Sequence, residues 1–280
     1  MTIQSWSWTP TMRSLAPRAL RGASITLALV VVAPSTALAD SVTLVSDRDN
    51  TLYEDVNGAL SNGAGSSFFA GVTASGLIRR GLLHFDVAGS IPAGSTVTGV
   101  TLTLVLTRAA NPGPYATDLH RVLADWGEGT SVAGGGGGGG APSTTGDATW
   151  IHTFYDTDFW TAAGGDFDPA VSASTMVSDL LGPYVWTSAT MVSDVQAWLD
   201  APAGNFGWLV EADESTSSTA LRFSTREDSG SGGANRPMLT VDYDPPAGST
   251  IFVDGFESGD YCQWSAVGGV PPCPVAFGLR

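Results

Sequence analysis

Short runs of alternating apolar and polar residues dominate the chain between Ser41 and Tyr243. Val42-Thr-Leu-Val45 alternates with a period of two, as a half-buried strand does. Val97 to Leu106 sets valine and leucine against threonine, so one face is apolar and the other rich in hydroxyls. Leu82-Leu-His-Phe85 reads as a more fully buried strand. Further candidates are Leu119–Leu123, Phe206–Val210, Ala220–Ser224 and Met238–Tyr243. Pro/Gly turns separate them, as at Pro92-Ala-Gly94. Many short strands with regular turn signals predict an all-β, antiparallel β-sandwich, jelly-roll-like in arrangement.

One segment departs from the period of two. In Met191–Leu199, Val192, Val195, Trp198 and Leu199 recur at helical spacing. This predicts one short amphipathic helix across the sandwich, capped by Thr190 or Ser193. Ala133 to Ala141 encloses seven consecutive glycines, Gly134 to Gly140. Without side chains to bury, this stretch is expected to be a flexible loop. It is not a phosphate-cradling loop, because the chain contains no lysine and no strand–loop–helix unit surrounds it.

The ends carry different information. Arg13, Arg18 and Arg21 precede an apolar stretch, Ala23–Ala33, and then Thr36-Ala-Leu-Ala39. That is the pattern of a cleaved export signal over residues 1–39, with either Met1 or Met12 as the start. The apolar stretch is too short to span a bilayer. The mature region begins at Asp40. Its strand-rich domain is expected over 40–243, followed by a linker at 244–250 and a tail element at 251–280. Cys262 and Cys273 are the only cysteines, and in an exported chain a nearby pair is most simply a disulfide.

Charge narrows the partners. Beyond Ala39 stand nine arginines and all 27 acidic residues, a formal charge of −18. Non-specific nucleic-acid binding needs a basic surface, so it is excluded as an expectation. Insertion into a membrane has no segment to support it, and an extracellular location follows from the signal.

Several groups of residues are candidates for a site. Trp150, Tyr155, Phe159 and Trp160 lie in a polar insertion, where aromatic rings can stack on sugar C–H faces. The other reading is a satellite hydrophobic cluster that holds the insertion down. Arg79 and Arg80 can grip a carboxylate or sulfate bidentately, or pair with strand carboxylates such as Glu227. Arg226 beside Glu227 reads as an ion-pair element. Asp47, Asp49, Asn50, Glu54 and Asp55 crowd enough oxygens together to supply part of a Ca²⁺ site, or are turn residues and surface charge. Trp126, Trp198 and Trp208 are flanked by apolar patterns and belong to packing. His84, His120 and His152 lack the spacing of a zinc site. No Gly-x-Ser-x-Gly elbow occurs, so no catalytic residue is assigned.

Taken in order, these elements resemble a DNRLRE-type domain. The resemblance rests on Arg79–Asp86, Pro92–Val97, Trp126-Gly-Glu128, Asp194–Trp198, Asn205–Leu209, Ser224–Glu227 and Arg236–Tyr243. It covers most of residues 41–243. The family is classed among carbohydrate-binding modules, and some members bind alginate. The resemblance therefore implies a non-catalytic sandwich that binds a polysaccharide or cell-surface glycan. A structural or adhesive surface protein is the alternative, and a polysaccharide lyase or hydrolase the third. The tail, Ile251-Phe-Val-Asp-Gly-Phe-Glu257 onward, resembles a short element at the ends of exported proteins of some Gram-negative bacteria. A polyanionic ligand requires Arg79, Arg80, Arg222, Arg226 and Arg236 to converge.

Overall fold

A 14-residue strand organises the first layer. In the computed structural model, which describes Thr2, Gln4 and residues 39–246, Val100, Leu102, Leu104 and Leu106 all point into the core while the threonines between them stay partly exposed. The strands in chain order are β1 Asp40–Val45, β2 Arg48–Tyr53, β3 Leu60–Ser61, β4 Ser67–Val72 and β5 Ile78–His84. Then come β6 Thr96–Ala109, β7 Tyr115–Val122, β8 Ala141–Pro142, β9 His152–Phe154 and β10 Asp158–Phe159. Last are β11 Phe167–Val177, β12 Gly182–Trp186, β13 Trp208–Ala212, β14 Leu221–Ser224 and β15 Met238–Asp244. Among the described residues one α-helix, α1, spans Ala189–Asp200.

All pairings are antiparallel, and the molecule is an all-β sandwich. In the first layer β6 has β12 along one edge and β15, then β14, along the other, with β1 outside β15. The second layer runs β2-β5-β13-β7-β11. Strand β4 joins the two: its first four residues pair with β14 and its last two with β5. Every strand expected from the alternation is present. Eight more were not foreseen: β2, β4, β11 and β12 in the layers, and the short β3, β8, β9 and β10. In β2 the segment read as an oxygen-rich turn is a strand with Asp49, Asn50 and Thr51 fully buried.

The core between the layers contains Phe68 stacked on Phe223, with centroids 5.3 Å apart, and Trp198 against Trp208 at 4.5 Å. Helix α1 closes one side of it with Met191, Val195, Trp198 and Leu199. Its cap is Ser188, whose hydroxyl accepts from the Met191 N–H at 2.9 Å. Thr190 and Ser193, expected as caps, lie inside the helix, and Ser193 Oγ donates instead to the Ala189 carbonyl. The side chain of an N-cap has to sit before the first helical residue to reach the free N–H groups. Asp194 is the one buried charge on the helix. It accepts from Ser172 Oγ at 2.5 Å and from the Trp208 indole at 3.1 Å, pinning helix to sheet.

A second apolar cluster lies on the outer side of the second layer. Leu52, Leu82, Val122, Leu209 and Trp126 meet Ala148, Trp150 and Trp160 from the insertion. The glycine run folds back rather than wandering. Ala133 N–H donates to Asn62, Tyr53 Oη donates to the Gly137 carbonyl at 2.7 Å, and two tight turns close at Gly137 and Gly140. Gly137 has φ +87°, and a Cβ there would press on Phe69 and Asn62, so glycine is required.

The signal over residues 1–39 lies outside the described residues except at positions 2, 4 and 39. The linker at 244–250 is described only through 246. The tail and the Cys262–Cys273 pair lie outside the described residues altogether.

Asp194→Ala leaves a buried indole N–H and a buried hydroxyl without acceptors. It should destabilise the fold by about 2–4 kcal/mol, read as a lower urea midpoint with unchanged slope.

Candidate functional site

The four aromatic candidates separate. Trp150 and Trp160 are only 9 % and 6 % exposed and belong to the second apolar cluster. They offer no face to a sugar, so of the two readings sugar stacking is corrected for this pair and the satellite cluster that holds the insertion down is the one found. Trp160 Nε1 donates to the Thr149 carbonyl, locking its ring in place. Tyr155 and Phe159 group around His152 instead, at 5.1 and 4.5 Å between ring centroids. Of the four, only Phe159 is strongly exposed, at 61 %. Burial lowers the pKa of His152, against an opposing pull from Asp156.

The arginines separate as well. Arg80 makes a bidentate pair with Glu214 at 2.7 and 2.8 Å, lies 3.7 Å from Glu211, and covers the Trp150 ring. Arg226 is bidentate to Glu128 at 2.6 and 2.5 Å and also meets Glu227 at 2.9 Å. Both are consumed by carboxylates, so neither is available to a ligand as expected. Arg236 donates to the Asp228 carbonyl.

Arg79 and Arg222 do converge, and Arg108, not foreseen, joins them. The three line a pocket of about 270 Å³ with Phe69, Thr73 and the glycine-run backbone at Gly135, Gly136, Gly138 and Gly139. Arg108 and Arg222 are directly opposite each other across β6 and β14, next to a bulge. Arg222 donates to Thr107 Oγ1. Arg79 is 4 % exposed, lies 4.7 Å above the Tyr53 ring and donates to the carbonyls of Ile78 and Gly138. Its Nε has no partner. Burial pushes its pKa down, with Tyr53 and Glu54 opposing. Among the described residues no carboxylate stands within ion-pair distance of Arg79, Arg108 or Arg222. Like charges placed opposite each other destabilise a sheet, so this pair concentrates uncompensated positive charge at the pocket.

The acidic residues expected to share a cation do not group as a set. Asp47 bonds His84 Nδ1 at 2.6 Å. Glu54 accepts from the Ile78 N–H and Asp55 from the Ala59 N–H. Asp49 points away from them, toward Glu128 and Glu227; one carboxylate oxygen from each of these three lies within 4.8 Å of the others. Of these four acids only Asp49 lies within β2; Asp47, Glu54 and Asp55 stand in the segments that flank it and bond the partners just named. Burial pushes the Asp49 pKa well up, despite a hydrogen bond from the Arg226 N–H.

A second cavity, about 440 Å³, is lined by Asp118, Glu211, Asp213 and Glu214. Glu211 and Asp118 are directly opposite across β13 and β7. Burial, and then Glu214, raise the Glu211 pKa, and Arg80 only partly offsets this.

No family model matches this chain, and no curated protein matches it. Among the described residues no helix is long and apolar enough to cross a membrane.

A carboxyl whose folded-state pKa is raised contributes stability below its unfolded value that is lost as pH rises through the raised one. Glu211→Gln should therefore melt above wild type at pH 7, and the two should converge as pH falls toward 4. Melting curves across that range check it; a gap that widens on acidification refutes it.

Proposed function

We propose that this chain is an exported, non-catalytic carbohydrate-binding protein whose ligand is a carboxylated polysaccharide. The observation that carries the reading is the opposed pair Arg108 and Arg222 beside Arg79, without carboxylates, in a chain of net charge −15. An acidic protein that keeps three unneutralised guanidinium groups around one pocket has a local field opposite to its overall charge. A uronate presents a planar carboxylate that fits a guanidinium fork. The pocket is shallow and small, which suits one or two units of a long polymer rather than an enclosed small molecule. The ordered resemblance to DNRLRE-type domains supports the same reading, as does the export signal.

The second reading, a structural or adhesive surface protein, is favoured by a separate feature. Met176, Leu180, Leu181 and Val185 are 47–74 % exposed along the β11–β12 connection. It predicts self-association that Leu180→Asp abolishes and that substitutions at the arginines leave intact.

An array of neutral and acidic glycans, followed by titration calorimetry on the best ligand, tests the first reading. Binding should be confined to carboxylated glycans and weaken with salt. Arg108→Ala and Arg222→Ala should each reduce affinity by about ten- to hundredfold. Preference for neutral glycans, or a double variant that binds like wild type, overturns it.

A further inference from the structure

The cluster of Asp49, Glu128 and Glu227 lies apart from the arginine pocket and has chemistry of its own. Asp49 is on β2, Glu128 on the segment after β7, and Glu227 on the turn after β14. Three chain segments distant in sequence thus deliver carboxylates to one place. Asp49 is fully buried, and Glu128 and Glu227 expose 14 % and 21 % of their side chains.

Two oxygens here are sealed from water without a hydrogen-bond partner: Asp49 Oδ1 and Glu227 Oε2. The other oxygens are committed. Asp49 Oδ2 accepts from Ser46 Oγ and from the Arg226 N–H. Glu128 Oε1 accepts from the Asp49 N–H and from Arg226 Nε, and Oε2 accepts from Arg226 Nη2. Glu227 Oε1 lies against Arg226 Nε. A buried carboxylate oxygen left without a partner is strongly unfavourable, and two of them in one cluster point to a missing ligand.

Charge says what kind. Three carboxylates and one guanidinium leave the cluster two negative charges in excess, which one divalent cation neutralises. Oxygens on one Ca²⁺ lie 2.3–2.6 Å from it and so no more than about 5 Å apart, the span found here. The donor set is oxygen only, which suits a hard cation rather than zinc. Ca²⁺ accepts irregular arrangements of carboxylate and water, whereas Mg²⁺ demands a near-ideal octahedron.

We propose that Asp49, Glu128 and Glu227 bind a single Ca²⁺, with Asp49 Oδ1 and Glu227 Oε2 as its anchoring ligands and water completing the shell. Arg226, 39 % exposed, stays beside the metal as the internal counter-ion, held on Glu128. The ion ties β2, the segment after β7 and the turn after β14 into one unit. This site stands independently of the glycan reading.

The test uses the mature chain, stripped with chelator, at pH 7.5. Calorimetric titration with CaCl₂ should show one site. A hundredfold excess over Kd should raise Tm by about 5–10 °C. Glu227→Gln should lower Ca²⁺ affinity by at least roughly tenfold, while Glu211→Gln, in the other acidic cavity, titrates like wild type. Asp49→Asn should lose the site too, and if it does not fold, Glu227→Gln decides. Absence of Ca²⁺ heat and of any Tm shift overturns the proposal, and leaves a shared proton as the occupant of the cluster. Equal stabilisation by MgCl₂, or a Glu227→Gln variant that titrates unchanged, overturns it as well.

Discussion

Loops that leave a sheet lose their ladder of backbone partners, and here the amide of Asn50 replaces it. Its Oδ1 accepts from the N–H groups of Thr51 and Asn62 and from Ser61 Oγ; its Nδ2 donates to the carbonyls of Glu128 and Ala148. One fully buried side chain thus joins β2, β3, the Glu128 segment and the insertion. An amide suits this role because it offers both donors and acceptors without a charge to desolvate. The approach is close: a Cβ on Gly63 would lie 1.6 Å from the Glu128 carbonyl oxygen. The carboxylate cluster and the root of the glycine run both hang from this junction. Their geometry follows from it before any ligand is considered.

Electrostatics divides the arginines into two populations. Arg48, Arg80, Arg121 and Arg226 are paired with carboxylates and fix loops against strands. Arg79, Arg108, Arg222 and Arg236 are not, and the first three share one pocket. Net charge therefore says little about what the surface prefers locally. In a strongly acidic chain a small basic pocket is better defined than it would be on a basic protein, because its surroundings repel anions that do not fit.

The alternating strands β1 and β6 were legible in the sequence, as were the apolar runs of β5, β13 and β15 and the core roles of Trp198 and Trp208. Strand β2 was not. Its first three buried residues, Asp49, Asn50 and Thr51, are polar and only Leu52 and Tyr53 after them are not, so a rule that looks for apolar periodicity passes over it. Trp150 and Trp160 stayed open between two readings for the converse reason: they sit among polar neighbours in sequence but under them in space. Arg108 follows a run of strand residues and carries no local sign of function. It becomes informative only when the β6–β14 register places it opposite Arg222. Glu128 and Glu227 were each noticed as parts of separate elements, and only the fold brings them to Asp49. Position along the chain showed which residues were unusual; pairing across it showed why.

The two arginines facing each other across β6 and β14 have a consequence for the life of the molecule. An empty pocket holds two positive charges that the sheet forces together; an occupied one shares them with an anion. On the proposed reading, the protein is then sturdier attached to its polymer than free in solution. Molecules that drift away from the polymer are the more perishable ones, more open to proteolysis. On that reading, a fold tensioned in this way ties its own persistence to the presence of the polymer it binds.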